Sequence, residues 1–208
     1  MINIQPCIQL ILPFSCVGDI DTNNFTRSCE YLQVLLNELG FDEGLLTPLR
    51  EHYLSAVAGC LFPDTGGDTL DSHRAFVVSY GPEADHDLDL HYDNSEVTLN
   101  ISLDDQFEGG ELYIGHMYTD IQSKPHSSSL DYSPCQHKLG YGLLHRGQQM
   151  HGALPLSSGD RHNLIIWMRS SVTRNQLCPM CRRTPDLVRV DGTGDGFSVP
   201  VVNVCSLF

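Results

Sequence analysis

Basic residues are scarce in this 208-residue chain: 12 Lys and Arg stand against 26 Asp and Glu, a formal net charge of −14. A surface that acidic repels phosphate, which argues against nucleic acid and anionic membranes as partners. No run of about 18 apolar residues exists, which excludes a membrane-spanning helix. No secretory signal is expected either. The start reads Met1-Ile2-Asn3-Ile4-Gln5-Pro6, with no Lys or Arg before the short apolar run Ile8 to Phe14. Internal repeats are absent. What remains is a chain that is 41% hydrophobic and 18% charged, able to bury a core and of single-domain size. The eight cysteines (Cys7, Cys16, Cys29, Cys60, Cys135, Cys178, Cys181 and Cys205) are even in number. A chain of this length does not need a disulfide framework, so the expectation is an intracellular protein with mostly reduced thiols.

Two parts differ in texture. Tyr31, Leu32, Leu35, Leu36 and Leu39 approach helical spacing over 25–39, and Gly40 follows as a stop. A second helix is predicted over 44–62, opened by Thr47-Pro48 as cap and first position, with Leu49, Tyr53, Leu54, Val57 and Leu61 as its stripe. Pro63 to Asp68 is a breaker. Strand patterns then take over: Ala75 to Tyr80, Val97 to Leu103 with strict alternation, Leu112 to Ile114, Gly142 to His145, and His162 to Met168. Glu108-Gly109-Gly110-Glu111 is a turn, and 116–138 a long Ser-, His- and Pro-rich loop. The expected organisation is an N-terminal helical segment (1–66), a β domain (67–171) and a tail with a CxxC (172–208). Helices followed by many short strands predict helices packed on an antiparallel sandwich or barrel.

The chemistry concentrates in Asp85-His86-Asp87-Leu88-Asp89-Leu90-His91-Tyr92-Asp93. In an extended stretch His91 and Asp93 point the same way, which offers two metal ligands at fixed spacing. His151, ahead of the last apolar strand, is the candidate third. Two His and one carboxylate leave the opposite face of a metal open, as in non-haem Fe(II) oxygenases. Arg161, at the start of that strand, could grip a dicarboxylate bidentately. Tyr80 could add a hydroxyl, and Thr98, Asn100 and Ser102 share one strand face that could line the same cavity. Taken singly, each has a plainer reading: a solvated strand residue, a loop histidine, an edge salt bridge or a core tyrosine.

Together the elements resemble the Fe(II)/2-oxoglutarate-dependent dioxygenases, in the prolyl/lysyl-hydroxylase-like group. The resemblance is carried in order by Phe76-Val77-Val78-Ser79-Tyr80, His91-Tyr92-Asp93, Thr98-Leu99-Asn100-Ile101-Ser102-Leu103, Glu108-Gly109-Gly110-Glu111-Leu112, and His151 with Arg161. It covers roughly 74–171. It implies a double-stranded β-helix (a jelly roll) with the N-terminal helices packed on the sheet. It implies Fe(II) on His91, Asp93 and His151, and 2-oxoglutarate held by Arg161 with Tyr80 and Asn100. Ascorbate is implied as a further cofactor, with succinate and CO₂ as co-products. The implied substrate is a Pro or Lys side chain of a protein or peptide. Two other functions compete: an iron- and 2-oxoglutarate-binding module without turnover, and a metal-dependent hydrolase with a metal-bound water, against which Arg161 argues.

Three further motifs have bland expectations. Asp85, Asp87 and Asp89 lack the turn Gly and distal Glu of a calcium loop and read as an exposed acidic rim. Cys178-Pro179-Met180-Cys181 has zinc-ligand spacing but no second CxxC, so free thiols are expected. Asp191 to Gly196 is Gly-rich without a strand-to-helix context and is no phosphate loop.

Overall fold

The computed structural model describes the backbone of residues 8–11 and, in full, residues 34–82, 85–119, 132–135 and 137–186. The strands in chain order are β1 (Ile8–Ile11), β2 (Val34–Leu35), β3 (Ser72–Tyr80), β4 (Leu88–His91), β5 (Val97–Ser102) and β6 (Phe107–Gly109). They continue with β7 (Leu112–Met117), β8 (Ser133–Cys135), β9 (Tyr141–Arg146), β10 (Gln149–Ala153), β11 (Leu156–Gly159) and β12 (Arg161–Arg169). One six-stranded sheet runs β1-β9-β5-β12-β3-β2, and a four-stranded sheet runs β4-β10-β7-β8. A β11-β6 ribbon joins them at one end. All the pairings are antiparallel, and the chain passes repeatedly between the two larger sheets, with β3, β5, β9 and β12 in one and β4, β7 and β10 in the other, which is the jelly-roll arrangement expected from the sequence.

Alternation along the large sheet divides its residues between two very different environments. Ala75, Val77, Val97, Leu99, Ile101, Leu144, Leu164, Ile166 and Met168 point outward and meet Leu46, Leu54, Ala58 and Phe62 of the long helix. That layer is the main apolar core. The opposite face looks across to the small sheet and is polar over much of its area. It carries Tyr80, Thr98, Asn100, Ser102, His145, Arg161 and Asn163, all buried. Its apolar parts are the contact of Leu143 with Leu112, Ile114 and Ala153 and the edge-on packing of Phe76 against Trp167. The fold thus packs its core outside the barrel and reserves the interior for chemistry.

Several local expectations change. Residues 34–39 are not helical: β2 pairs with the edge of β3 (Val34 with Val77, Leu35 with Phe76), and a turn follows to Gly40. Leu36 is buried in the outer core, and its N–H donates to the Ala75 carbonyl at 3.0 Å. An open sheet edge outcompetes the local periodicity. The rest of that predicted helix lies outside the described residues. The second helix exists but begins earlier, at Asp42–Leu46, and passes through Thr47–Leu49 and Arg50–Leu54 into Ser55–Leu61. Pro48 is therefore interior. The turn before it is wide, of π type, with the Thr47 N–H reaching back to the Asp42 carbonyl. Such a turn relieves the contact of a proline ring with the preceding carbonyls. Tyr53 leaves the expected stripe and is exposed, while Leu46 joins it.

Within 116–138, β7 continues to Met117 and β8 adds a strand; 120–131 lie outside the described residues. Phe107–Gly109 is a strand rather than the start of a turn, because the β11 hairpin pairs with it. In the tail, Ser171–Arg174 forms a short helix capped by the Ser170 side chain. It is tied down by Glu96, whose buried carboxylate accepts from the Ser170 N–H at 2.8 Å and from Arg174 Nη2 at 3.0 Å. Asp191 to Gly196, and Cys7, Cys16, Cys29 and Cys205, lie outside the described residues. Cys60, Cys135 and Cys178 are free thiols. Among the described residues no helix is long and apolar enough to cross a membrane.

Candidate metal centre and co-substrate pocket

His91, Asp93 and His151 converge at one mouth of the barrel, with one donor atom of each lying within 4.8 Å of the others. It is the one such grouping of three potential metal ligands among the described residues. His91 ends β4 and His151 sits in the middle of β10, directly across the pairing from it. A strand, not a loop, therefore carries His151. Asp93 lies beyond the end of β4, so the extended reading of 85–93 holds only for Leu88–His91. Its position is set instead by two links to the β9–β10 turn. The Asp93 N–H donates to the Gly147 carbonyl at 2.7 Å, and Gln148 Nε2 donates to the Asp93 carbonyl at 2.9 Å. A Cβ on Gly147 would overlap the Ser95 carbonyl, so this crossing requires glycine.

The hydrogen bonds fix the chemistry of each side chain. Nδ1 of His91 faces the Asp89 carbonyl at 2.8 Å, and Nδ1 of His151 faces the Gln149 carbonyl at 2.8 Å. A carbonyl only accepts, so both rings carry a proton on Nδ1, and in the neutral form each turns a lone pair on Nε2 toward Asp93. Those Nε2 atoms lie 3.7 Å and 3.6 Å from the two oxygens of Asp93. Thr98 Oγ1 donates to Asp93 Oδ2 at 2.7 Å and is itself bonded to Ser95 Oγ at 2.7 Å. Two lone pairs and a carboxylate turned toward one another repel unless a cation lies among them. The donor set, two imidazoles and one carboxylate with backing hydrogen bonds, suits a first-row divalent metal and leaves coordination positions open. Burial lowers the His91 pKa, and the neighbouring His151 lowers it further, so the ring stays neutral and ready to ligate.

Arg161 is fully buried further inside. Its Nε donates to Asn163 Oδ1 at 3.1 Å, Nη1 to the Gly110 carbonyl, and Nη2 to His137 Nδ1 at 3.4 Å. Each terminal nitrogen keeps one further N–H, which is the pair a carboxylate takes side by side. Gly110 has φ +68°, and a Cβ there would press into Leu156, so glycine is needed where the chain closes on the guanidinium. Tyr80 pairs with Arg161 across the strands, and the guanidinium lies 5.4 Å from its ring centre. Burial pushes the Tyr80 hydroxyl up to about 12, against the opposing pull of Arg161, so it keeps its proton. Asn100 faces the interior too, and its Oδ1 is buried without a partner. Turned over, the amide would present N–H bonds to the cavity instead. A dicarboxylate with a metal-chelating head fits this interior: donors at Arg161 and Tyr80, and lone-pair ligands at the mouth.

The structure therefore brings all six candidate residues to one interior. The sequence reading missed two histidines that share it. His145, on β9, is buried with its ring 4.6 Å from that of His151. Its signal was present: a polar residue alternating with Leu144 in a short apolar strand. His137 sits in the loop after β8, where no periodicity could place it.

Both have a consequence for stability. His145 is held down at about 4 by burial and then by His151, and His137 at about 4 by burial and then by Arg161. Their unfolded value is about 6.5. The unfolded chain thus binds more protons between those values, so stability is complete above about pH 6.5 and is lost as pH falls toward 4. His162 has the opposite sign: its hydrogen bond to Asp104, at 2.6 Å, raises it, so its contribution is present below about 6.5 and lost as pH rises through the raised value. The melting temperature of the metal-free protein is expected to fall steadily on the acid side in a calorimetric series. A flat profile down to about pH 4 would mean that these two imidazoles are not buried neutral.

The comparisons agree with this geometry. No family model matches the chain. The human 2-oxoglutarate and iron-dependent oxygenase domain-containing protein 2 is 50% identical over 177 residues, which is 84% of this chain and 49% of the human protein. This chain thus spans about half the length of the curated relatives it matches. A procollagen lysyl hydroxylase and glycosyltransferase of Acanthamoeba polyphaga mimivirus is 34% identical over 106 residues, 48% of this chain and 10% of that protein. Among solved structures, the non-haem alpha-ketoglutarate-dependent carbocyclase SnoK of nogalamycin biosynthesis superposes with a TM-score of 0.51 at 16% identity, covering 68% of this chain and 64% of SnoK. At that identity the likeness speaks for the fold alone. With half of its aligned residues identical to a named oxygenase, on a jelly roll whose mouth gathers two histidines and a carboxylate, the chain belongs to the family of the 2-oxoglutarate and iron-dependent oxygenases.

Proposed function

We propose that this chain is the catalytic unit of a 2-oxoglutarate-dependent dioxygenase that hydroxylates a lysine or proline side chain of a protein or peptide. His91, Asp93 and His151 are its Fe(II) ligands. Arg161 holds the distal carboxylate of 2-oxoglutarate, with Tyr80 and Asn100 beside it. When bound, iron and co-substrate together supply the oxidation: O₂ gives one oxygen atom to 2-oxoglutarate, which leaves as succinate and CO₂, and the other to a substrate C–H bond. Ascorbate serves as the reductant that keeps the iron ferrous.

The observation that carries this reading is the pair of histidine Nε2 atoms facing the Asp93 carboxylate, in a jelly roll whose large sheet buries an arginine on its inner face. The chain's own groups do the positioning. Nδ1 bonds to backbone carbonyls orient both imidazoles, and Thr98 fixes one oxygen of Asp93. The walls of the two sheets keep bulk water from Arg161. The preference for lysine rests on charge. Asp85, Asp87 and Asp89 are exposed on the segment that leads into His91 and would attract a cationic side chain. The lysyl hydroxylase relative points the same way.

Succinate formation tests the reading. The full chain, purified without oxygen and then given Fe(II), ascorbate, 2-oxoglutarate and O₂, is expected to form succinate above a His91→Ala blank, and faster with lysine- or proline-containing peptides. Peptide-stimulated succinate without a hydroxylated peptide, by mass spectrometry, would overturn the hydroxylase assignment. Absence of both iron and 2-oxoglutarate binding would overturn the whole reading.

A further inference from the structure

His137 stands out among the groups that the proposed reaction does not use. It is half-buried, close to a cavity of about 250 Å³ lined by Phe107, Gly109, Gly110, Glu111, His137 and Lys138. From the loop after β8, its ring reaches two adjacent strands of the large sheet. Nε2 lies 3.1 Å from the Asn100 carbonyl on β5, and Nδ1 lies 3.4 Å from Arg161 Nη2 on β12. The Asn100 carbonyl can only accept, so the ring proton is on Nε2 and Nδ1 offers a lone pair to the guanidinium. One tautomer of the neutral ring satisfies both contacts. A protonated ring would set an N–H bond against a cation. Burial and the charge of Arg161 both hold the ring neutral.

The other terminal nitrogen of Arg161 is held by the Gly110 carbonyl, and Nε by Asn163. Three fixed acceptors at three nitrogens determine both the position and the plane of the guanidinium. Without the His137 contact the plane could swing about the other two. The remaining N–H of each terminal nitrogen would then no longer point in parallel at one carboxylate.

Resting on the 2-oxoglutarate reading above, we propose that His137 is a positioning residue for the co-substrate. It fixes the Arg161 fork so that both remaining N–H bonds meet the distal carboxylate together. It acts on recognition of the dicarboxylate and not on the metal, which is held at the other end of the interior by different strands.

Direct binding tests this without turnover. Wild type, His137→Phe and His137→Gln are titrated calorimetrically with Mn(II), and the Mn(II)-loaded proteins are then titrated with 2-oxoglutarate. Phe keeps the ring's bulk and removes both hydrogen bonds. Gln restores an acceptor and a donor at similar spacing. His137→Phe is expected to weaken 2-oxoglutarate binding about tenfold, the scale of a lost hydrogen bond to a charged group, with Mn(II) affinity unchanged. His137→Gln should recover most of it. Unchanged 2-oxoglutarate binding by His137→Phe overturns the proposal while leaving the co-substrate reading intact. An equal loss of Mn(II) affinity overturns it in favour of a scaffold role. A wild-type protein that binds Mn(II) but no 2-oxoglutarate overturns the co-substrate reading and the proposal with it.

Discussion

Asp93→Ala is expected to abolish metal binding and succinate formation while leaving the fold in place. Asp93 supplies the one negative charge facing two imidazoles, and both of its oxygens lie within 3.7 Å of a histidine Nε2. Residues that merely back a metal ligand are worth about tenfold to a hundredfold in affinity. Loss of the anionic ligand itself should therefore exceed about a hundredfold. The fold should tolerate the change. The side chain is buried at the barrel mouth and belongs to neither apolar cluster. Thr98, left without its acceptor, keeps Ser95 as a partner. The backbone links of Asp93 to Gly147 and Gln148 do not involve its carboxylate. Calorimetric titration with Fe(II) under argon reads the affinity, and circular dichroism reads the fold. Wild-type metal affinity in the variant would remove Asp93 from the ligand set.

Arg161 should give the second largest effect, and two substitutions separate its two roles. Arg161→Lys keeps the charge but replaces a planar fork with a single ammonium, so two parallel hydrogen bonds to the carboxylate become one. The expected result is a rise of tenfold or more in the 2-oxoglutarate dissociation constant, on the order of one charge-assisted hydrogen bond, with metal affinity unaltered. Arg161→Ala should in addition destabilise the protein. It leaves Asn163 Oδ1, the Gly110 carbonyl and His137 Nδ1 without their donor, in an interior where an unmet acceptor is costly. A loss of about 3 kcal/mol in urea unfolding is expected. Unaltered co-substrate affinity in Arg161→Lys would mean that another cation, such as Lys138 at the adjoining cavity, holds the carboxylate.

The two effects differ because the two residues meet different surroundings. Asp93 sits where a cation belongs, so the metal-free protein already bears the repulsion that its removal relieves. Arg161 is paired within the chain before any co-substrate arrives. The same contrast gives the acid sensitivity expected of His137 and His145, whose neutral rings are built into the interior.

Much of this was legible in the residues. Strict alternation in Val97 to Ser102 and the apolar run before Arg169 located the two central strands of the large sheet, because period-two polarity is local and needs no partner to be seen. His91, Asp93, His151 and Arg161 were legible as a set through their order and spacing. Residues 34–39 were misread as helical because leucine spacing says nothing of the open β3 edge that captures Val34 and Leu35. Pro48 was misread as a helix start because the wide turn that accommodates it leaves no mark in composition.

The sequence by itself therefore located five strands of the two larger sheets (β3, β5, β7, β9 and β12) and the side chains that could bind a metal and a dicarboxylate. Only the tertiary structure decided that the apolar faces turn outward to the long helix and the polar faces turn inward. It alone brought His151 opposite His91, closed Gly110 and His137 onto Arg161, and placed His145 beside His151. The physical reason is the range of the interactions. Alternation and spacing are set between neighbours in the chain, whereas strand register and the direction in which a sheet face is covered are set between segments far apart in it.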